Sequence, residues 1–209
     1  MLSLLQRGLE QLYRLEPTPD VRAFMVDEAQ RQSWGLARQP HEQLLLHQSP
    51  DGALEVGLYV DPRALANLER HDPRRSVGEH NLHDLCLAVE GVSHFVYVAV
   101  RARADVPVSG LELELQAEVD KYVTCLLLAD GVPPRDLRAR LFERIQLADD
   151  LSAEERERYR KANACAARYA RSLEARFVEA RRIPDMLSEL RRFYRMRLAD
   201  KLDRIAEAA

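Results

Sequence analysis

The chain has 209 residues, of which 46% are hydrophobic and 31% are charged, with a formal net charge of −3. This composition is typical of globular proteins and excludes the disordered and collagen-like classes. A chain of this length can bury a substantial core without disulfides, and we expect a single domain over 1–209.

The charge is divided unevenly along the chain. Residues 151–209 contain 15 basic and 10 acidic residues, and residues 1–150 contain 16 basic and 24 acidic ones. We therefore expect an acidic body, 1–150, with a basic C-terminal part, 151–209, packed on it.

No segment of the sequence indicates a membrane span or an export signal. The longest uninterrupted apolar run, Phe95–Val100, is far shorter than the ~20 residues of a membrane helix. The cysteines Cys86, Cys125 and Cys165 lie in apolar helical patterns, which indicates buried, reduced thiols. We expect a cytoplasmic protein with no membrane association and no cofactor.

The first elements follow from leucine spacing and proline positions. Leucines at helical spacing predict a helix over 2–15, and Thr18-Pro19 predicts the start of a second one. The run over 43–60, with Ser-Pro-Asp-Gly at its middle, predicts a β-hairpin.

Asp61-Pro62 predicts the start of a short helix, and the polar segment 71–80 predicts a surface loop. Apolar residues from Leu82 to Val89 then follow a helical stripe that Gly91 ends. The alternating valines of 92–102 predict a strand, and one long helix over 81–103 is the alternative.

The remaining elements are helical. Ser109 and Glu112 form a capping-box pattern that begins a central helix ending near Ala129. Pro134 opens the next helix, and Ser152 with Glu155 begins a long one that ends near Arg181.

A last helix from Leu187 to Ile205 follows a turn at Ile183-Pro184, which predicts an antiparallel helical hairpin at the C-terminus. The predicted fold is α+β and mostly α-helical. About three antiparallel strands, from 43–60 and 93–102, pack against helices.

One group of charged residues falls among apolar neighbours in the centre of the chain. Glu114, Glu118 and Lys121 share a face of the central helix, and Glu90 and His94 precede them. Carboxylates with an imidazole can form a metal site or a general acid–base pair. The alternative is an internal ion-pair network in which Lys121 or an arginine neutralises Glu118.

A second set of ligand-type side chains is His80, His83 and Asp84, whose spacing allows the two histidines to share a helix face and a metal. The stretch from Arg75 to His80, R-S-V-G-E-H, also resembles the Arg-x4-His motif of helical endoribonucleases known from toxin modules. The resemblance covers this short stretch alone and implies that the pair acts on an RNA backbone. In that family the motif lies on a helix, whereas Gly78 and the nearby proline predict a loop here.

The densest basic patch lies near the C-terminus, where arginines alternate with two aromatic residues. Such a patch can bind nucleic acid or another polyanion through phosphate contacts, and the alternative is a solvated helix face. Its candidate residues are Arg181, Arg182, Arg191, Arg192 and Arg195.

No phosphate-binding glycine loop, nucleophile elbow or zinc-protease motif is present in the sequence. We therefore favour a non-catalytic binding or regulatory protein that contacts a protein partner or a second copy of itself. The alanine stripe and aromatics of the C-terminal hairpin are the expected contact surface. A metal-dependent enzyme that uses Glu90, His94 and Glu118 is the second hypothesis, and a nucleic-acid-binding protein is the third.

Overall fold

A computed structural model describes residues 1–34, 40–48, 54–129, 131–143 and 148–207, and 68% of these residues are helical. These residues form nine α-helices and one two-stranded antiparallel sheet that contacts the helices. The expected mostly helical fold with a small antiparallel sheet is confirmed, but the sheet has two strands where about three were predicted.

The first helix, α1, spans Leu2–Tyr13 and buries one face of leucines. It ends at Arg14, whose φ of 51° places it in the left-handed region that commonly terminates helices. The helix predicted over 2–15 is therefore confirmed in position.

The prediction of a second helix that begins at Thr18-Pro19 is wrong. A 3-10 turn, Val21–Phe24, and a short helix α2, Glu28–Ser33, take its place. Asp20 and Asp27 each accept a hydrogen bond from a backbone N–H of the element that follows. Because each aspartate caps a separate element, the chain forms two short elements and not one helix.

The predicted hairpin is confirmed as β1, Glu42–Gln48, paired with β2, Leu54–Val60. The register runs from Glu42 opposite Val60 to Gln48 opposite Leu54. The predicted Ser-Pro-Asp-Gly turn lies outside the described residues. A long helix, α4, over Leu82–Arg103 packs against both strands.

Helix α3, Pro62–Arg70, begins as predicted, with the Asp61 carboxylate accepting the backbone N–H of Arg63 at 2.8 Å. The segment 71–81 consists of turns and bends, as expected of a surface loop.

The strand predicted over 92–102 is wrong, because a single helix, α4, spans Leu82–Arg103. Every residue from Gly91 to Val98 in this helix is buried. A helix buried on all sides lacks the one-sided apolar pattern of a surface helix. The alternating valines therefore gave the sequence the pattern of a strand although the segment is helical.

Helix α4 is long and apolar enough to cross a bilayer by length and composition alone. However, 61% of its most apolar window is buried inside the fold, as in the core helix of many soluble proteins. Its neighbours include α1, α3, both strands and the following helix, α5 (Gly110–Leu128), so it is the central element of the fold.

Helix α5 spans Gly110–Leu128 and begins as predicted, with Ser109 accepting the backbone N–H of Glu112 at 3.2 Å. The Glu112 side chain does not return to Ser109. It turns inward and accepts hydrogen bonds from Tyr97 at 2.6 Å and Arg101 at 3.0 Å. The capping box is therefore only half formed.

The next two helices begin where their caps predict. Helix α6 is Pro134–Phe142, and α7 is Ala153–Leu173, continued by a π-helical turn, Glu174–Val178. Both hydrogen bonds of the Ser152–Glu155 capping box are present.

The prediction of a single last helix over 187–205 is wrong, because the helix ends at Arg195 and a new one begins at Leu198. Helix α8 is Ile183–Arg195 and α9 is Leu198–Glu207. Between them, the carbonyl oxygen of Met196 accepts a hydrogen bond from Arg101 at 2.6 Å. Helix α8 packs on α1 and α9 packs on α7, so the predicted two-helix hairpin is replaced by three helices with different neighbours.

The alanine stripe expected on the contact surface is inside the protein. Ala162, Ala166 and Ala170 are at most 2% exposed, and α7 packs closely against α5. Two aromatic residues of this part of the chain, Tyr169 and Phe193, are stacked at 4.1 Å between ring centroids and are also buried. Both the acidic body and the basic C-terminal part contribute side chains to one hydrophobic cluster.

Candidate functional site

Helices α4 and α5 bring together the central charged residues that the sequence analysis selected. Glu90 and His94 lie one turn apart on α4, and Glu114, Glu118 and Lys121 lie on α5. None of the five side chains is more than 20% exposed. Their burial makes the balance of charge among them important, because unpaired buried charges are costly.

The hairpin adds Glu42, which sequence reasoning did not find. Its side chain is 7% exposed and lies beside the His94 imidazole. Gly91 permits this approach, because a Cβ at that position would lie 3.1 Å from Oε1 of Glu42. No local pattern marks Glu42, since its place depends on how the hairpin docks on α4. We name this group the Glu–His centre: Glu42, Glu90, His94, Glu114, Glu118 and Lys121.

The imidazole of His94 lies between two carboxylates. Nδ1 is 3.5 Å from Oε1 of Glu42, and Nε2 is 3.6 Å from Oε2 of Glu114. Both distances exceed a normal hydrogen bond, and Nε2 of His94 and Oε1 of Glu42 have no hydrogen-bond partner in the described part of the chain. Burial lowers the pKa of His94, but the two glutamates outweigh it and raise the pKa well above its ordinary value.

Lys121 is the cation at the other end of the Glu–His centre. Its Nζ lies 2.9 Å from Oε2 of Glu90 and 2.8 Å from Oε1 of Glu118. Burial raises the pKa of Glu118, whereas at Glu90 the ammonium outweighs burial and lowers the pKa. The carboxylates in turn raise the pKa of Lys121 well above its ordinary value, so the ammonium stays charged.

Three members of the Glu–His centre could hold one metal ion. One ligand atom each from Glu90, His94 and Glu114 lies within 4.8 Å of the other two. Arg158 of α7, which sequence reasoning also missed, places its Nε 3.9 Å from Oε1 of Glu114.

A cleft of about 340 Å³ opens beside the Glu–His centre, and Glu118 and Lys121 form part of its wall. The rest of the wall consists of Glu79, Leu82, His83 and Cys86, with Arg140 and Leu141 of α6. The cleft therefore reaches the carboxylate of Glu118 and the ammonium of Lys121 from the protein surface.

The three cysteines are free thiols, as predicted, with Cys125 buried and Cys86 and Cys165 half-buried. Interaction with Cys86 and burial together raise the pKa of Cys125 well above its ordinary value. A raised thiol pKa disfavours the nucleophilic thiolate.

The second set of ligand-type residues does not converge on one point. His80 packs its ring against His71 at 5.2 Å, and Asp84 accepts a hydrogen bond from Asn67 at 2.6 Å. His83 is exposed in the cleft. Among the described residues, these side chains do not form a metal-ligand group.

The stretch that resembles the endoribonuclease motif is not helical. Arg75 and His80 lie in the turns of 71–81, before α4 begins at Leu82. This agrees with the loop predicted from Gly78 and differs from the helix that the resemblance implies.

Two arginines of the basic patch donate hydrogen bonds to the backbone of α1. Arg191 donates to the carbonyl oxygen of Leu12 at 2.8 Å, and Arg195 donates to that of Tyr13 at 3.0 Å. Together they satisfy the carbonyl groups that end α1, where a positive charge also complements the helix dipole.

Two further arginines of the patch have acidic partners on α8. Arg192 donates to Glu189 at 2.6 Å, and Arg182 donates to Asp185 at 2.7 Å. Arg181 ends the preceding segment with a left-handed φ of 54°. The patch is thus largely engaged in contacts within the chain.

A second buried polar network, missed from the sequence, joins α4, α5 and α9. Asp120 accepts hydrogen bonds from Ser93 at 2.6 Å and from Gln116 at 2.9 Å. Lys201, which is 0% exposed, donates to Gln116 at 2.7 Å and to Tyr97 at 2.9 Å. Burial raises the pKa of Asp120 to about 6 and lowers the pKa of Lys201 to about 7.

The sequence does contain a signal for Lys201, because it stands four residues before Ile205 on the apolar stripe of the last helix. Asp120 likewise follows Gln116 by four residues on a central helix with more than one apolar face.

No protein-family model, no curated protein and no solved structure matches this chain.

Proposed function

We propose that the protein binds one divalent metal ion through Glu90, His94 and Glu114. The observation that carries this proposal is the convergence of three ligand atoms within 4.8 Å beside a buried imidazole nitrogen that lacks a hydrogen-bond partner among the described residues. Buried polar atoms in proteins are almost always paired, so the unpaired Nε2 of His94, 3.6 Å from Oε2 of Glu114, points to a ligand.

The charge of the Glu–His centre supports the same proposal. Its four glutamates carry four negative charges when ionised. Lys121 and the neighbouring Arg158 contribute two positive charges. A divalent cation bound by a neutral imidazole supplies the remaining two. Without a cation, the carboxylates and the imidazole must retain protons, which agrees with the raised pKa values of Glu42 and His94.

The ligand chemistry indicates which ions fit. Two carboxylates with one imidazole suit Mn²⁺, Fe²⁺ or Zn²⁺, whereas Ca²⁺ prefers oxygen ligands alone and Cu⁺ prefers sulfur. Three protein ligands leave coordination positions open for water or a substrate, as in catalytic metal sites. Lys121, which contacts Glu90, lines the cleft, and this arrangement supports a metal-dependent enzyme.

Calorimetric titration with Mn²⁺ and with Zn²⁺ tests the proposal. We expect the protein to bind about one equivalent and Glu114→Gln to bind the ion at least about 100-fold more weakly. Loss of a group that only supports a ligand already costs about 10–100-fold in metal affinity, and loss of the ligand itself should cost more. Glu157→Gln, an exposed change on α7, is the matched control and should bind like the unaltered protein. Thermal melting of each variant establishes that it is folded.

Two results contradict the proposal. If the unaltered protein binds neither ion, the Glu–His centre is an internal ion-pair network. If Glu114→Gln is folded and binds the ions with unchanged affinity, the ions are held elsewhere.

We also propose that the hairpin contacts a second copy of the chain. Leu46 and Leu54 lie on the face that continues from the buried Leu58, yet they are 45% and 44% exposed. Among the described residues, β1 pairs only with β2, which leaves its outer edge open to an identical strand. An edge strand with exposed leucines is well suited to a symmetric dimer.

Light scattering after size-exclusion chromatography measures this directly. We expect a dimer that Leu46→Glu converts to a monomer, while Leu127→Glu, at a leucine that is 49% exposed on α5, leaves the dimer intact. A protein that is monomeric at every concentration tested refutes the dimer.

A further inference from the structure

The side chain of Lys121 holds a position that a metal ion could occupy. Its Nζ lies within 2.9 Å of one oxygen from Glu90 and one from Glu118, and the side chain is only 12% exposed. Metal–oxygen bonds are about 2.0–2.2 Å long, so each carboxylate oxygen would move by less than about 1 Å toward the position of Nζ to bind an ion there.

Glu90 connects this position to the proposed metal site. Its carboxylate contacts the ammonium of Lys121, and it also supplies one of the three ligand atoms that converge with His94 and Glu114. A carboxylate has two oxygens and can bridge two cations, as in two-metal sites whose ions lie ≈ 3.5–4 Å apart. The Glu–His centre thus contains donors for two adjacent cations.

We propose that the ammonium of Lys121 occupies the second cation position of the Glu–His centre and thereby limits the centre to one metal ion. This inference rests on the proposed function for its first ion. It assigns Lys121 as the residue that determines metal stoichiometry and Glu118 as the ligand that becomes available when the ammonium is removed.

The electrostatics of the position favour this assignment. Removing the ammonium leaves Glu118 and one oxygen of Glu90 buried without their counter-charge, and a buried carboxylate without a partner is strongly unfavourable. A second divalent ion restores positive charge at the same point. Because Lys121 and Glu118 line the cleft, an ion can reach the position from solvent.

Metal stoichiometry in Lys121→Met tests the inference. We expect calorimetry and elemental analysis after Mn²⁺ loading to find one more equivalent in this variant than in the unaltered protein. Electron paramagnetic resonance should then show two exchange-coupled Mn²⁺ ions. If Lys121→Met does not fold, Lys121→Ala removes the same charge and leaves space open to the cleft.

Two control variants separate the effect of charge from that of shape. Lys121→Arg keeps the cation and should bind no additional ion. The double variant Glu118→Gln with Lys121→Met removes the new ligand and should lose the added equivalent.

The outcomes distinguish this inference from the proposed function. If the unaltered protein binds one ion and Lys121→Met also binds one, the inference is overturned and the proposed function stands. If the unaltered protein binds none but Lys121→Met binds one that requires Glu118, the lysine does occupy a cation position and the proposed function fails. If neither protein binds Mn²⁺, both are overturned.

Discussion

Replacement of Lys201 by methionine provides a quantitative test of the second buried network. Lys201 is fully buried, and among the described residues no carboxylate oxygen lies within salt-bridge distance of its Nζ. Its donors are directed at Gln116 and Tyr97. Methionine is similar in length, so Lys201→Met removes the titrating group and retains most of the apolar packing.

The magnitude follows from the lowered pKa. Burial lowers the pKa of Lys201 from 10.5 to about 7. Between these pH values the unfolded chain binds a proton that the folded chain does not, so the free energy of unfolding rises with pH by up to about 1.4 kcal/mol per pH unit. From about pH 7.5 to about pH 9.5, Lys201 alone should add roughly 2–3 kcal/mol.

Urea unfolding at a series of pH values measures this contribution. The free energy of unfolding of the unaltered protein should rise relative to that of Lys201→Met across the window, because other titrating groups are common to both proteins and cancel. The loss of hydrogen bonds to Gln116 and Tyr97 shifts the variant by a constant amount and leaves the pH dependence unaffected.

Parallel pH profiles for the two proteins would refute the reasoning. They would mean that Lys201 remains charged when folded, held by the rings of Tyr97 and Phe193, whose centroids lie 4.6 and 5.2 Å from its Nζ. Cation–π attraction would then outweigh the desolvation of the ammonium.

Three further substitutions test individual packing and capping contacts through the free energy of unfolding in urea. Gly91→Ala should lower it by about 1–3 kcal/mol, because the new Cβ would lie 3.0 Å from a β2 side chain, whereas Gly8→Ala, with nothing within 4 Å, should raise it by about 0.5–1 kcal/mol. Equal effects at the two glycines would contradict the close approach of the hairpin to α4. Ser152→Ala should lower it by about 1 kcal/mol through loss of the α7 cap, and an unchanged value would mean that the cap contributes nothing. Arg195→Ala should lower it by about 0.5–1.5 kcal/mol, because the hydrogen bond from this exposed arginine to the end of α1 is lost, while Arg197→Ala should stay within about 0.5 kcal/mol.

The Glu–His centre was partly predictable because most of it lies on two helices. Helical spacing alone places Glu114, Glu118 and Lys121 on one face, and it predicts that Lys121 can neutralise Glu118, as the 2.8 Å contact shows. Glu42 could not be found in this way. It reaches His94 only because the hairpin docks where Gly91 leaves room.

For the arginine patch, the sequence shows the residues but not the groups that they contact. A dense run of arginines near the C-terminus predicts an anion-binding surface, but sequence density does not reveal internal partners. Arg191 and Arg195 contact the end of α1, which is far away in sequence. Only the packing of α8 on α1 shows that these guanidinium groups have carbonyl acceptors.

Local sequence by itself determined where several elements begin. The caps at Ser109 and Ser152 and the proline at Pro134 act on backbone groups within one helical turn, so their effects do not depend on the rest of the fold. Tertiary structure decided that 92–102 is helical and that a carboxylate from β1 meets the imidazole on α4. Both outcomes depend on burial between segments distant in sequence, which outweighs the local preference of alternating valines for a strand.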